Sequence, residues 1–151
     1  MHVATQLWWT FPADVDEKTR SKFANFFHRD CDDWSFMKFF FYLNDVNEGS
    51  GPHEFVKGSH KPSVLQSFKE NFRINRHYDT TVKSWYGSNN IITMTGKKGQ
   101  GFAEDTFGLH KGKTPTENPR LVLCLVYALR DYGIQEWRYN KDNLGILSLQ
   151  K

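Results

Sequence analysis

The chain has 151 residues but only two cysteines, Cys31 and Cys124, and no Cys-x-x-Cys pair. A structural zinc site built on thiolates is therefore excluded. Two isolated thiols suit a reducing compartment, and a cytoplasmic location is expected. Long apolar runs are also missing. The longest, Phe39 to Leu43, falls far short of the roughly 20 residues that span a bilayer, so no membrane association is expected. The N-terminus has no basic segment leading an apolar one, and no secretory leader is expected. Strong charge of one sign is absent. A formal net charge of +3 is too mild to imply a nucleic-acid partner without a clustered basic face. Internal repeats and low-complexity tracts are lacking as well.

What is there is aromatic. Phenylalanine alone contributes 13 residues, so a core or a pocket will be built largely from rings. With 38% hydrophobic and 25% charged residues the chain belongs with folded proteins rather than disordered ones. Its length suits a single domain over 1–151.

Strand signals dominate. "ATQLWWTF" mixes β-formers and rings, "FANFFHRD" reads as extended, and "PRLVLCLVYAL" is the clearest strand of all. "FMKFFFYL", Phe36 to Leu43, is apolar on both alternating faces and is expected to be buried on both. "NDVNEGSGP" is a loop, and "HEFVKGS" a short strand ending at a glycine. "IITMTGKKGQGFAEDTFGLH" reads as two strands around a Gly/Lys-rich turn, and "IQEWRYN" as a final edge strand. Helix is scarce. Asp14-x-x-Glu17 is a pattern that caps one or two turns, and Val64, Leu65, Phe68 and Phe72 share one helical stripe. Residues 73–86 show no clean period and are read as a long functional loop or lid, rich in basic and aromatic residues. Many short strands with turns between them indicate a mainly β sandwich or barrel with one or two short helices.

The stretch "HRDCD", His28 to Asp32, interrupts two aromatic runs. Residues i and i+2 of a strand share a face, so His28 and Asp30 project side by side while Arg29 points away. An imidazole and a carboxylate so placed suit two neighbouring corners of a metal's coordination shell. By itself His-x-Asp is equally the solvated end of a strand. His110, 80 residues beyond Asp30, is the candidate third ligand. Two histidines and one carboxylate make the three-ligand set used by non-haem Fe(II) oxygenases, with three positions left open. Ten residues further on, Arg120 heads an otherwise apolar strand. A buried guanidinium needs a partner, and its planar fork matches a carboxylate. A local acid or water serves as well as a dicarboxylate cosubstrate at this point.

Taken in order, "HRD", "FYLNDVNEGSGPHEFVKGSHK", "EDTFGLHKGKTPTENPR" and "LVLCLVYAL" resemble the phytanoyl-CoA dioxygenase family of Fe(II)- and 2-oxoglutarate-dependent oxygenases, over roughly residues 6–128. The resemblance implies a double-stranded β-helix, the jelly roll shared with cupins. It implies that His28, Asp30 and His110 hold iron, that Arg120 binds the distal carboxylate of 2-oxoglutarate, and that Phe40 lines the cosubstrate pocket. It implies a hydroxylase that consumes O2, releases succinate and CO2, and acts on a small molecule. Gln6, Lys38 and Thr93 are candidates for the proximal end of the cosubstrate. Arg76, Trp85 and Tyr86, in the 73–86 segment, are candidates for holding an anionic or sugar-containing substrate, with a solvated loop as the plain alternative. His60 is read as structural, and His53 and His77 as loop residues.

The rival readings are a module of the same fold that binds metal or ligand without turnover, and a cupin-type protein whose metal does Lewis-acid work. Arg120 at its spacing and the single carboxylate beside His28 count against the latter. Family members usually carry a longer region before His-x-Asp, which here begins only 27 residues after the start. Leu121, Leu123, Leu125 and Tyr127 form an apolar outer face that needs cover. A homodimer, or a further segment of a parent protein, is expected to supply it. Solution scattering checks this, and a monodisperse monomer would overturn it.

Overall fold

A computed structural model describes residues 1–14, 16, 24–61 and 76–131. The helical stripe at 64–72, Glu17 of the capping pattern and the expected edge strand "IQEWRYN" lie outside the described residues.

Seven strands and one α-helix are present among those residues: β1 (His2–Thr10), β2 (Phe36–Tyr42), β3 (His53–Val56), α1 (Asp79–Tyr86), β4 (Ile91–Met94), β5 (Gly101–Glu104), β6 (His110–Gly112) and β7 (Arg120–Ala128). They form two antiparallel sheets, one in the order β1-β7-β2-β5 and one in the order β4-β3-β6. At the edge of β6 an isolated bridge holds His28, with bonds from His28 N–H to the His110 carbonyl and back, each 3.0 Å. The four-stranded and three-stranded antiparallel sheets make the expected jelly roll.

The core between the layers follows from strand alternation. Phe36, Phe40 and Tyr42 of β2 and Val122, Cys124 and Val126 of β7 turn inward and pack with Val3, Ala4 and Val46. Burial holds the Cys124 thiol up to about 12, which makes it an inert core residue. A second apolar cluster lies on the outer side of the smaller sheet, where Val82 of α1 meets Phe27, Val56 and Leu109.

Two expectations change. β2 is buried on one face only: Met37 is 37% exposed and Phe39 and Phe41 are half-buried, because its layer meets the other layer on one side alone. Leu7, Trp9 and Tyr127 stand exposed on the same outer side of neighbouring strands. The two strands expected around the Gly/Lys-rich turn are β4 and β5, and the turn carries the chain from one sheet to the other. The 73–86 lid is in part a helix. Asp79 favours its first turn and Gly87 ends it, while Val82 gives it a buried anchor. β-Branched Thr80, Thr81 and Val82 blur the local signal, and packing against the second cluster decides the matter.

Gly51 is the one turn that sets the site. Its φ of +67° is left-handed, and a Cβ there would lie 2.4 Å from the Lys113 carbonyl oxygen. Only glycine fits, and its own carbonyl accepts a hydrogen bond from Arg120.

Candidate metal centre

His28 and His110 form a directly opposed, hydrogen-bonded pair across two strands, so their rings meet on the inner face with centroids 4.3 Å apart. Asp30 sits on the same face, held by its N–H on the Thr106 carbonyl at 2.9 Å. Its Oδ1 is 3.6 Å from His28 Nε2 and its Oδ2 is 3.4 Å from His110 Nε2. The donor atoms of the three residues all lie within 4.8 Å of one another.

Both rings are oriented by the backbone. His28 Nδ1 is 2.9 Å from the Phe26 carbonyl, and His110 Nδ1 is 2.9 Å from the Gly108 carbonyl. A carbonyl only accepts, so each Nδ1 carries the proton and each Nε2 is left as a lone-pair donor toward Asp30. That is how outer hydrogen bonds prepare histidines for a metal.

The electrostatics agree. Burial, with His110 nearby, lowers the His28 pKa to about 3, so this ring is neutral. Burial opposes a charge on His110 too, but the hydrogen bond and charge of Asp30 outweigh it and raise its pKa. Asp30 is pushed up by burial and down further by His110 and Lys38, so it stays ionised. Protonation of His110 therefore competes with a metal at its Nε2, whereas His28 is neutral. Uptake is expected to be coupled to proton release and to weaken as pH falls. Calorimetric titration with Co(II) in two buffers of different ionisation enthalpy measures it.

Arg120 is buried and, as expected, is followed inward by Val122 and Cys124. Its guanidinium lies beside β6, where a Cβ on Gly112 would be 2.7 Å from Nη2. Gly112 and His110 share a face of β6, about 7 Å apart along the strand. Burial lowers the arginine's pKa, and Nε has no partner. Phe40 lies on the same inner face, its ring 5.0 Å from that of His53 and 5.2 Å from that of Phe102.

His53 is not a loop residue. It heads β3, is buried, and stacks on His110 with ring centroids 5.5 Å apart. Its Nε2 is 2.8 Å from Glu104 Oε2, and burial lowers its pKa despite that carboxylate. Sequence reading passed over both. Alternation in "HEFV" and "GFAE" turns His53 and Glu104 the same way as Phe55 and Phe102, a signal that was present. Of the candidates for the proximal end, Lys38 reaches the site while Thr93 Oγ1 donates to Glu54 Oε1 at 3.4 Å.

The remaining candidates stand apart. Arg76 is exposed, though its charge is felt at His28. Trp85 packs its ring against His77 with centroids 5.0 Å apart. Tyr86 packs on the outer apolar cluster, and its hydroxyl accepts from Arg29 at 3.4 Å. His60, read as structural, borders a cavity of about 800 Å³ together with Asp32, Trp34 and Phe107.

No protein-family model matches the chain, and no characterised protein matches it by sequence. Solved structures do match. AviO1 from Streptomyces viridochromogenes Tue57 is 14% identical over 85% of this chain and 50% of its own, with a TM-score of 0.57. HygX from Streptomyces hygroscopicus, with nickel and 2-oxoglutarate bound, is 16% identical over 85% of this chain and 55% of its own, also at 0.57. SnoK, a non-heme alpha ketoglutarate dependent carbocyclase from nogalamycin biosynthesis, is 13% identical over 83% of this chain and 49% of its own, at 0.57. The likeness is one of fold. The chain spans about half the length of these structures.

Proposed function

We propose that this chain is an Fe(II)- and 2-oxoglutarate-dependent oxygenase of the phytanoyl-CoA dioxygenase type, oxidising a C–H bond of a small molecule. One observation carries the reading: two buried histidines, each with Nδ1 tied to a backbone carbonyl, turn Nε2 toward one ionised carboxylate. Those residues fit a metal of the three-ligand, oxygen-activating kind. Iron with 2-oxoglutarate and O2 would supply the oxidising chemistry, leaving succinate and CO2.

The chain's own residues do the rest. His28, Asp30 and His110 hold the metal on one face of the jelly roll. Arg120 has an unsatisfied Nε, and its guanidinium lies beside Gly112, one same-face step along β6 from His110; it suits the far carboxylate of a short dicarboxylate. Phe40 and Phe102 wall the interior and keep water from it. HygX, similar in fold, has been crystallised with nickel and 2-oxoglutarate, which supports this reading.

The test is anaerobic. Fe(II) and 2-oxoglutarate added to the protein are expected to give a visible charge-transfer band, and O2 to convert 2-oxoglutarate to succinate. Arg120→Ala is expected to weaken 2-oxoglutarate binding by about 10-fold or more, as a lost charge-assisted bond of about 1.5–3 kcal/mol implies, while metal stays bound. Absence of a band would overturn the assignment. A band with no succinate when candidate substrates are present would favour the second reading, a binding module without turnover.

A further inference from the structure

We propose that Lys38 is a positioning residue that dictates how Asp30 presents itself to a metal, with Asp32 as the anchor that keeps the lysine in place. The inference rests on the metal-site reading above and goes beyond it to a residue that is not itself a ligand.

Lys38 lies on β2, between Phe36 and Phe40 on the inward face, paired in register with Glu104 on one side and Val126 on the other. Its side chain is only 13% exposed. An ammonium so placed needs anionic partners, since an unpaired buried charge is costly. It has two, both from the "DCD" of the ligand segment. Nζ is 2.7 Å from Asp30 Oδ2 and 2.9 Å from Asp32 Oδ2. Asp30 and Asp32 are again i and i+2, so one extended segment offers two carboxylates to one cation.

The consequence is geometric. A carboxylate can bind a metal through one oxygen or both. With Lys38 donating to Oδ2, one lone pair of that oxygen is engaged and its charge is shared with an ammonium, so Oδ1, beside His28 Nε2, is the oxygen better placed to ligate. Lys38 thus holds Asp30 to single-oxygen ligation and preserves the open positions that the proposed chemistry needs. Asp32 has its own part: it gives the ammonium a second anion, so the lysine is not drawn away when Asp30 shares its charge with a metal.

The experiment is Co(II) titration of the full chain under anaerobic conditions, with the visible d–d spectrum as the readout. That spectrum responds to coordination number and not to turnover. Lys38→Met is expected to change the mode of Co(II) ligation rather than abolish uptake. Its d–d band is expected to weaken and shift as Asp30 turns to ligation by both oxygens. Lys38→Arg, which keeps the donor, is expected to restore the wild-type band. An unchanged band in a folded Lys38→Met protein would overturn the inference alone. No Co(II) uptake by the wild-type chain would overturn the metal-site reading, and this inference with it. If Lys38→Met does not fold, Asp32→Asn serves: it is expected to shift the band in the same direction by a smaller amount, and an unshifted band there would overturn the proposal.

Discussion

Asp30→Ala is expected to abolish metal binding rather than weaken it. Asp30 is the one carboxylate of the three-ligand set, and both Nε2 atoms face it, at 3.6 and 3.4 Å. Removing it leaves two imidazoles beside the Lys38 ammonium, a set with no anion and a nearby positive charge. The loss should exceed the roughly 10- to 100-fold that removal of an outer-shell partner costs. Co(II) or Fe(II) titration checks it. The effect on folding should be smaller than the about 3–5 kcal/mol of a broken buried ion pair, because Lys38 keeps Asp32 at 2.9 Å. Acid stability provides a second readout. Asp30's pKa is depressed, so its contribution is present above the usual carboxylate value of about 3.9 and is lost as pH falls below it. The Asp30→Ala protein should lose less stability over that acid range than the wild type does.

Leu109→Ala is expected to cost about 2–5 kcal/mol, the range for a leucine truncated in a packed core. Leu109 is fully buried in the cluster with Phe27, Val56 and Val82, on the side of the smaller sheet opposite the metal ligands. Its N–H donates to Ser59 Oγ at 2.7 Å and its carbonyl accepts from Val56 N–H at 2.9 Å. Against a total stability of about 5–15 kcal/mol for a domain, that is a large fraction. The site should suffer too. Leu109 precedes His110, and Phe27 precedes His28, so the cluster behind the sheet fixes the strand pair that carries both ligands. Chemical denaturation gives the stability, and metal titration of the folded fraction gives the effect on the site. Wild-type values in both would show that the outer cluster does not brace the centre.

Much of this was legible in the residues. Strand alternation put His28 and Asp30 on one face and Arg29 and Cys31 on the other. It also put Arg120, Val122 and Cys124 together, and the structure keeps that grouping with Arg120 buried. Many short strands indicated a sandwich or barrel, and the resemblance to a known family implied the jelly roll. The helix α1 was not legible, because its sequence is poor in strong helix formers and its stability comes from Val82 docking on a distant sheet. His53 was misplaced because a histidine next to a Gly-Pro turn looks like loop. Its burial depends on Glu104, Phe40 and Phe102, which arrive from other strands.

The division has a physical basis. Period and residue type act within one segment, so the sequence by itself determined which side chains share a face and which donor atoms each face carries. Pairing and register act between segments far apart in the chain. Only the tertiary structure could set His28 against His110, bring Lys38 between Asp30 and Asp32, and lay Arg120 beside Gly112. Each of those depends on which strands lie side by side, and that is decided by the packing of two sheets around one core.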